Sequence, residues 1–315
     1  MTTPAPAPRR VWIDTDCGFD DMAAIAMVAA DPNWAIAGIG LVAGNAPLPV
    51  VVDNAARMSA FFGWRAPLHV GRDRPLIGEP ITAQAILGDD ALASAGRGLP
   101  PAPARLSPTG ALDALAQAAA PGGLTVLALG PLTNLAVALL ARPEIARGLD
   151  GMIWMGGSAG AGNHTAAAEF NALCDPEAVQ IVLDAGVPFT MVGLDACRTV
   201  PISMEDVALI RSRGGERAEI LADLTEGYVR IGRGRPMALY DPVAAAALVA
   251  PGTVETAPAR VEMERGAGPA RGMTICEFRA HKAAPNALVA RRGDAAGILA
   301  LMRAAFDAAS TGASA

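Results

Sequence analysis

Four carboxylates fall within eight residues in the run Asp14-Thr15-Asp16-Cys17-Gly18-Phe19-Asp20-Asp21, between the apolar stretch Val11-Trp12-Ile13 and the apolar run from Met22 to Ala30. An apolar strand, a glycine turn and an amphipathic run make a strand-loop-helix unit, which gathers the acids at the carboxyl end of a strand, where open α/β sheets keep their ligands. Alternation along the strand sends Asp14 and Asp16 to one side, and Gly18 permits a sharp turn that brings Asp20 and Asp21 back toward Asp16. Anions packed this closely raise one another's pKa values unless a cation or shared protons intervene. A hard divalent metal held by oxygens is the simplest resolution. The plainer alternative, a solvated loop with Asp20 or Asp21 in the first turn of a helix, needs one carboxylate and leaves Asp14 and Asp16 without a reason.

The elements that must position these acids can be read from the alternation of apolar runs. Strands are expected near 11–16, 35–42, 67–70, 124–129, 151–155 and 188–194, and helices near 19–30, 47–62, 109–119, 131–141 and 175–185. That order predicts an α/β fold with an open, mostly parallel sheet and helices on both faces, Rossmann-like, with its site at the carboxyl ends of the strands. Val42-Ala43-Gly44-Asn45, Leu129-Gly130-Pro131-Leu132-Thr133-Asn134 and Met155-Gly156-Gly157 end strands in polar or glycine-rich turns that face one crevice. The Pro/Gly-rich stretch Gly96 to Gly110 reads either as a flap at that crevice or as a surface loop. The last third is less regular, with a helix expected over 241–250, short strands around 253–280 and a closing helix near 293–309.

A chain of 315 residues, 52% of them hydrophobic, can bury a large core, and no composition break divides it. We expect a single domain over 11–310 behind a flexible start at 1–10. The net charge is −6 with no basic stripe, which argues against nucleic acid as a partner. The four cysteines, Cys17, Cys174, Cys197 and Cys276, are scattered without a CxxC pair, against a zinc site and in keeping with a reducing cytoplasm. No run approaches the roughly eighteen apolar residues of a membrane span. No GxGxxG follows the first strand, against a dinucleotide site.

Taken together, the ordered motifs resemble the inosine-uridine-preferring nucleoside hydrolases, which cleave the N-glycosidic bond of nucleosides and hold a calcium ion in the active site. The resemblance rests on the opening acidic run, Val42-Ala43-Gly44-Asn45, Leu132-Thr133-Asn134, Met155-Gly156-Gly157, Asn163 through Glu169-Phe170-Asn171, Asp175-Pro176-Glu177, Met191-Val192-Gly193-Leu194-Asp195 and Asp241-Pro242. It implies that Asp16, Asp21 and Asp241 bind Ca2+ together with the main-chain carbonyl of Leu129, with Asp14 as a support behind them. It implies that Asp16 is also the general base for the attacking water, and that Asp20, Asn45, Asn163, Glu169 and Asn171 grip the ribose hydroxyls with Met155 against the sugar. It further implies a small nucleoside substrate, a homodimer or homotetramer, and a place in purine or pyrimidine salvage.

The chemistry asks for these residue types. Glycoside hydrolysis passes through an oxocarbenium-like state, so a site must stabilise positive charge on the sugar and deliver water to one face. Carboxylate and amide side chains read a diol well, because one accepts and the other can also donate. The sequence departs from the family where a histidine precedes the last metal aspartate: here that residue is Tyr240, a neutral phenol that can donate a hydrogen bond or stack on a base. The three histidines are His69, which reads as a packed strand residue, His164 in a site loop, and His281 late in the chain. Two other readings compete. One is a phosphohydrolase with an Asp-x-Asp strand end, for which Lys282, the sole lysine, is poorly placed. The other is a nucleoside-binding protein of the same fold with weak base expulsion.

Overall fold

The computed structural model describes residues 7–311. Strand β1 (Arg9–Thr15) runs through the acidic turn into α1 (Phe19–Ala30), followed by β2 (Trp34–Leu41), α2 (Leu48–Phe62) and β3 (Leu68–Val70). A long connection carrying the short α3 (Gln84–Leu87) leads to α4 (Ala111–Ala119), β4 (Leu124–Ala128), α5 (Thr133–Ala141) and β5 (Leu149–Met155). Next come α6 (Phe170–Cys174), α7 (Pro176–Asp184), β6 (Phe189–Val192), α8 (Leu194–Cys197) and β7 (Pro201–Ile202). The chain ends in α9 (Met204–Arg211), α10 (Glu216–Ile231), β8 (Met237–Ala238), α11 (Asp241–Val249), β9 (Val254–Met263), β10 (Thr274–Glu277), β11 (Ala287–Gly293) and α12 (Ala295–Ser310).

Nine strands form one sheet in the order β10-β9-β11-β6-β5-β4-β1-β2-β3. From β3 to β11 all neighbours are parallel, and only β9 runs the other way, antiparallel to both β11 and the edge strand β10. The fold is therefore α/β with a mostly parallel sheet. Side-chain alternation divides the core into two layers. Val11 and Ile13 of β1 pack with α1, α2, α11 and α12 on one face, while Trp12 packs with α4, α5 and α7 on the other. The chain steps outward from β1 through β2 to β3, then returns to β4 on the far side of β1. That reversal opens a crevice above the carboxyl ends of β1 and β4.

Some regions are resolved further by the structure. The start is ordered from Arg9, whose guanidinium lies 4.0 Å over the Trp34 ring, and Arg10 donates to the carbonyl of Ala118. Of the segment 1–10, Arg9 and Arg10 belong to β1, and residues 1–6 lie outside the described ones. The stretch Gly96 to Gly110 is a surface strap pinned at both ends. The Arg97 amide donates to Asp223 of α10, and the Ser107 amide donates to the Leu68 carbonyl. The helix pair α9 and α10 and strand β11 were not anticipated. β11 inserts between β6 and the antiparallel edge, so the sheet is wider than the first two thirds of the sequence suggest. Among the described residues no helix is long and apolar enough to cross a membrane.

Candidate active site

The acidic turn is built by short-range hydrogen bonds. Thr15 Oγ1 accepts the Cys17 amide at 3.1 Å and donates to Asp21 Oδ1 at 2.5 Å, while the Gly18 amide donates to Asp21 Oδ2 at 2.8 Å. The left-handed residue of the turn is Cys17, with φ +52°, and not Gly18, whose φ is −82°. Glycine is required at 18 for space: a Cβ there would lie 2.8 Å from the Asn45 amide nitrogen and 3.2 Å from Asp21 Oδ2. Asp16 is held by Asn45, whose backbone N–H reaches Oδ2 at 2.7 Å and whose Nδ2 reaches Oδ1 at 2.9 Å. Gly44 leaves the room for that approach, since a Cβ on it would sit 2.1 Å from Asp16 Oδ2.

Asp241 opens α11 with Pro242 behind it, where the missing proline N–H costs the helix nothing. It closes the cluster from above: Asp20, Asp21 and Asp241 each offer one oxygen within 4.8 Å of the others. Asp21 is also within hydrogen-bonding contact of the Asp16 carboxyl, so it joins the two groups. Asp14 lies below, taking Asn134 Nδ2 on both oxygens at 3.1 and 3.2 Å and Trp12 Nε1 at 3.4 Å.

Burial is the main force on these acids. It pushes Asp16 and Asp241 well above the usual carboxylate range, with the charge of Asp21 adding to it, and it carries Asp14 and Asp20 to about 7. Among the described residues no arginine, lysine or histidine forms an ion pair with Asp14, Asp16, Asp20, Asp21 or Asp241. Buried anions without a counter-charge either hold protons or hold a cation. An all-oxygen set of clustered carboxylates with a backbone carbonyl nearby fits a hard divalent ion such as calcium.

A polar shelf borders the cluster. Glu169 is the N-cap of α6 and spends both oxygens on backbone: Oε1 accepts the Asn171 amide, and Oε2 accepts the Gly157 and Ala172 amides, all at 2.8 to 2.9 Å. Burial raises its pKa to about 7 against the pull of those donors. Asn171 Nδ2 donates to the carbonyls of Leu129 at 2.9 Å and Met155 at 3.1 Å, fixing both carbonyls at the cleft floor. Asn163 sits in the exposed loop after β5 and takes the Phe170 amide on Oδ1 at 3.1 Å.

Cluster and shelf open into a cleft of about 230 Å³. Asp20, Asn45, Leu129, Met155, Asn163, Glu169, Asn171, Tyr240 and Asp241 all line it, whereas Asp16 and Asp21 lie beneath, 1% and 0% exposed. The opposite wall is apolar: Ile86 and Leu87 from α3, Tyr228 from α10, Met237 from β8, and Phe170. These residues escape sequence reasoning. Tyr228 is indistinguishable from a core position of an amphipathic helix, and its hydroxyl turns away to the Ala238 carbonyl at 2.7 Å. Asn134 was visible within Leu132-Thr133-Asn134, but its task of holding Asp14 was not.

The remaining histidines divide as their contexts suggest. His69 stacks on Trp12 with Nδ1 2.8 Å from the Thr109 carbonyl, which makes it a packing residue. His164 lines the cleft, its ring 5.3 Å from Phe170, and His281 is exposed and not part of the lining. No residue of the 96–110 strap lines the cleft, and neither does Lys282.

The model of the inosine-uridine preferring nucleoside hydrolases matches residues 11–300. The chain belongs to this family. It is 31% identical over 277 residues to the pyrimidine-specific ribonucleoside hydrolase RihB of Escherichia coli O157:H7, a match covering 85% of this chain and 87% of that one. Among solved structures, the purine-preferring ribonucleoside hydrolase of Gardnerella vaginalis superposes with a TM-score of 0.88 at 25% identity, over 96% of this chain and 99% of that one. A plant nucleoside hydrolase, PpNRh1, gives 0.87 at 27% identity, over 96% and 99%. This nucleoside hydrolase is accordingly an enzyme, a nucleoside N-ribohydrolase.

Proposed function

We propose that the enzyme hydrolyses ribonucleosides to ribose and free base with a calcium ion bound by Asp16, Asp21, Asp241 and the Leu129 carbonyl, and with Asp16 as general base. The observation that carries this reading is the buried carboxylate cluster with no cationic partner among the described residues, next to a shelf of oriented amides. When bound by these groups, the ion would supply a Lewis acid that makes a water more acidic beside the sugar. Asp16 receives the proton of the attacking water. Its fixed hydrogen bonds to Asn45 set the orientation of the carboxylate before substrate arrives.

The sugar is gripped by groups of opposite polarity. Asn171 commits its N–H2 to two carbonyls, which leaves Oδ1 as an acceptor, whereas Asn163 accepts at Oδ1 and leaves Nδ2 as a donor. Asp20, Asn45 and Glu169 complete the set, and Met155 packs against the ring. Negative carboxylates around the sugar favour the positive charge that develops there.

On the base side, burial pushes the Tyr240 phenol up to about 12, so it remains protonated and serves as a hydrogen-bond donor to the departing base and not as its main proton source. The same reading takes residues 11–310 as one domain, a homodimer or homotetramer in the cytoplasm; light scattering and cell fractionation test the last two points.

Release of reducing sugar from a panel of purine and pyrimidine nucleosides, with chelator and then with added calcium, tests the proposal. Ribose release lost with chelator and restored by calcium is the expected result, and the panel identifies the preferred base. Release that persists after complete metal removal overturns the metal assignment.

A further inference from the structure

We propose that Asp195 and Arg198, at the two ends of α8, are positioning residues for this reaction: together they hold the segment 158–162 so that Asn163 faces the sugar beside Tyr240. The inference rests on the reading of Asn163 as a sugar-binding group. Asp195 Oδ2 accepts the Ala159 amide at 2.6 Å and the Ser158 hydroxyl at 3.3 Å. Three residues on, Arg198 donates from Nη1 to the Ala161 carbonyl at 3.0 Å and from Nη2 to the Gly162 carbonyl at 2.7 Å. One short helix thus grips the loop at both ends of a five-residue segment and stops at the residue before Asn163.

The loop needs such anchors. Residues 163–166 are exposed, and beyond Gly162 the chain closes on itself, with the Asn163, His164 and Thr165 amides all directed at the Ala168 carbonyl. That closure, with the Phe170 amide on Asn163 Oδ1, ties the far end of the loop to the start of α6, and α8 holds the near end. The planar guanidinium suits the task because its fork spans two successive carbonyls, which a lysine ammonium cannot do in one geometry.

The test is a double-mutant cycle on the calcium-loaded full chain with the best nucleoside of the panel. Arg198→Met and Asp195→Ala are each expected to raise KM about tenfold while kcat stays within about twofold, the signature of lost ground-state and transition-state grip alike. Arg198→Lys should recover only part of the loss. Adding Arg198→Met to Asn163→Ala should raise KM no further than Asn163→Ala alone. A purely structural role would instead lower kcat through loss of folded enzyme at unchanged KM, and that result overturns the proposal. Effects of Arg198→Met and Asn163→Ala that multiply overturn it while leaving the sugar-binding reading of Asn163 intact. Asn163→Ala without effect removes both. Should Arg198→Met fail to fold, Arg198→Lys and Asp195→Asn run the same cycle.

Discussion

The floor of the cleft and its outer wall are made in opposite ways. On the floor most functional side chains are tied down: Asp16 to Asn45, Asp21 to the Thr15 hydroxyl and the Gly18 amide, and Glu169 to the backbone N–H groups of Gly157, Asn171 and Ala172. Those donors sit at or just beyond the ends of parallel strands and at helix starts. The wall consists of side-chain surfaces with little polar anchoring. Ile86 is 57% exposed on a helix of four residues, Met237 is half-buried on a two-residue strand, and Tyr228 keeps its hydroxyl pointed elsewhere. A floor held atom by atom suits a reaction centre that tolerates no displacement. A wall of exchangeable apolar surfaces suits the choice of base, where one methylene in a hydrophobic pocket discriminates only modestly.

The comparison breaks most sharply at the floor. Asp16→Ala should lower kcat/KM by about a thousandfold or more, the scale of a lost general base. Asp241→Asn should abolish turnover to a similar degree and, in chelator, raise the melting temperature, because one of several buried like charges has been removed. A melting temperature that falls in chelator as much as in calcium would contradict the picture of a floor that stores repulsion until a cation enters. Glu169→Gln comes next. It trades one acceptor oxygen for an N–H2 group facing backbone donors, so about 1 to 3 kcal/mol of stability should be lost as those donors go unpaired. A drop of several degrees in the melting temperature and a fall in kcat/KM should appear together, whereas a thermally silent change would mean that water replaces the lost oxygen.

The same division governs what the sequence reveals. Carboxylates separated by one or two residues, amides after glycine turns and a proline behind an aspartate are unusual enough to be seen, so the acids, Asn45, Glu169 and Asn171 were legible. Strands β1 to β6 were legible because buried parallel strands are short apolar runs between glycine and proline signals. Ile86, Leu87, Tyr228 and Met237 carry no such mark, since an apolar residue facing a cleft has the same sequence context as one facing the core. The turn at Cys17 misled for a related reason: the adjacent glycine is there to make room for Asn45, and the left-handed conformation falls on its neighbour, stabilised by Thr15. The clamp of α8 on the loop before Asn163 pairs residues about 36 positions apart, a relation that only the folded chain displays.

At the wall, effects should be smaller and should depend on the base. Ile86→Ala removes an exposed apolar contact, so kcat/KM should fall by no more than about tenfold, unequally between purine and pyrimidine nucleosides, with the melting temperature unmoved. Equal losses on all substrates would place Ile86 with the sugar and not with the base.

Tyr240→Phe gives the finest cut, because Tyr240 belongs to both regions: it precedes the floor residue Asp241, and its ring faces the wall. The substitution keeps the ring and deletes one hydroxyl, worth about 1 kcal/mol as a hydrogen bond, so a natural nucleoside should lose roughly fivefold in kcat. A nitrophenyl riboside, whose leaving group departs without help, should lose nothing measurable. Equal losses on both would move the hydroxyl to the sugar side, acting through the adjacent Asn163. No loss on either would make Tyr240 a packing residue and return the departing base to solvent or to His164, the remaining titratable group on that side of the cleft.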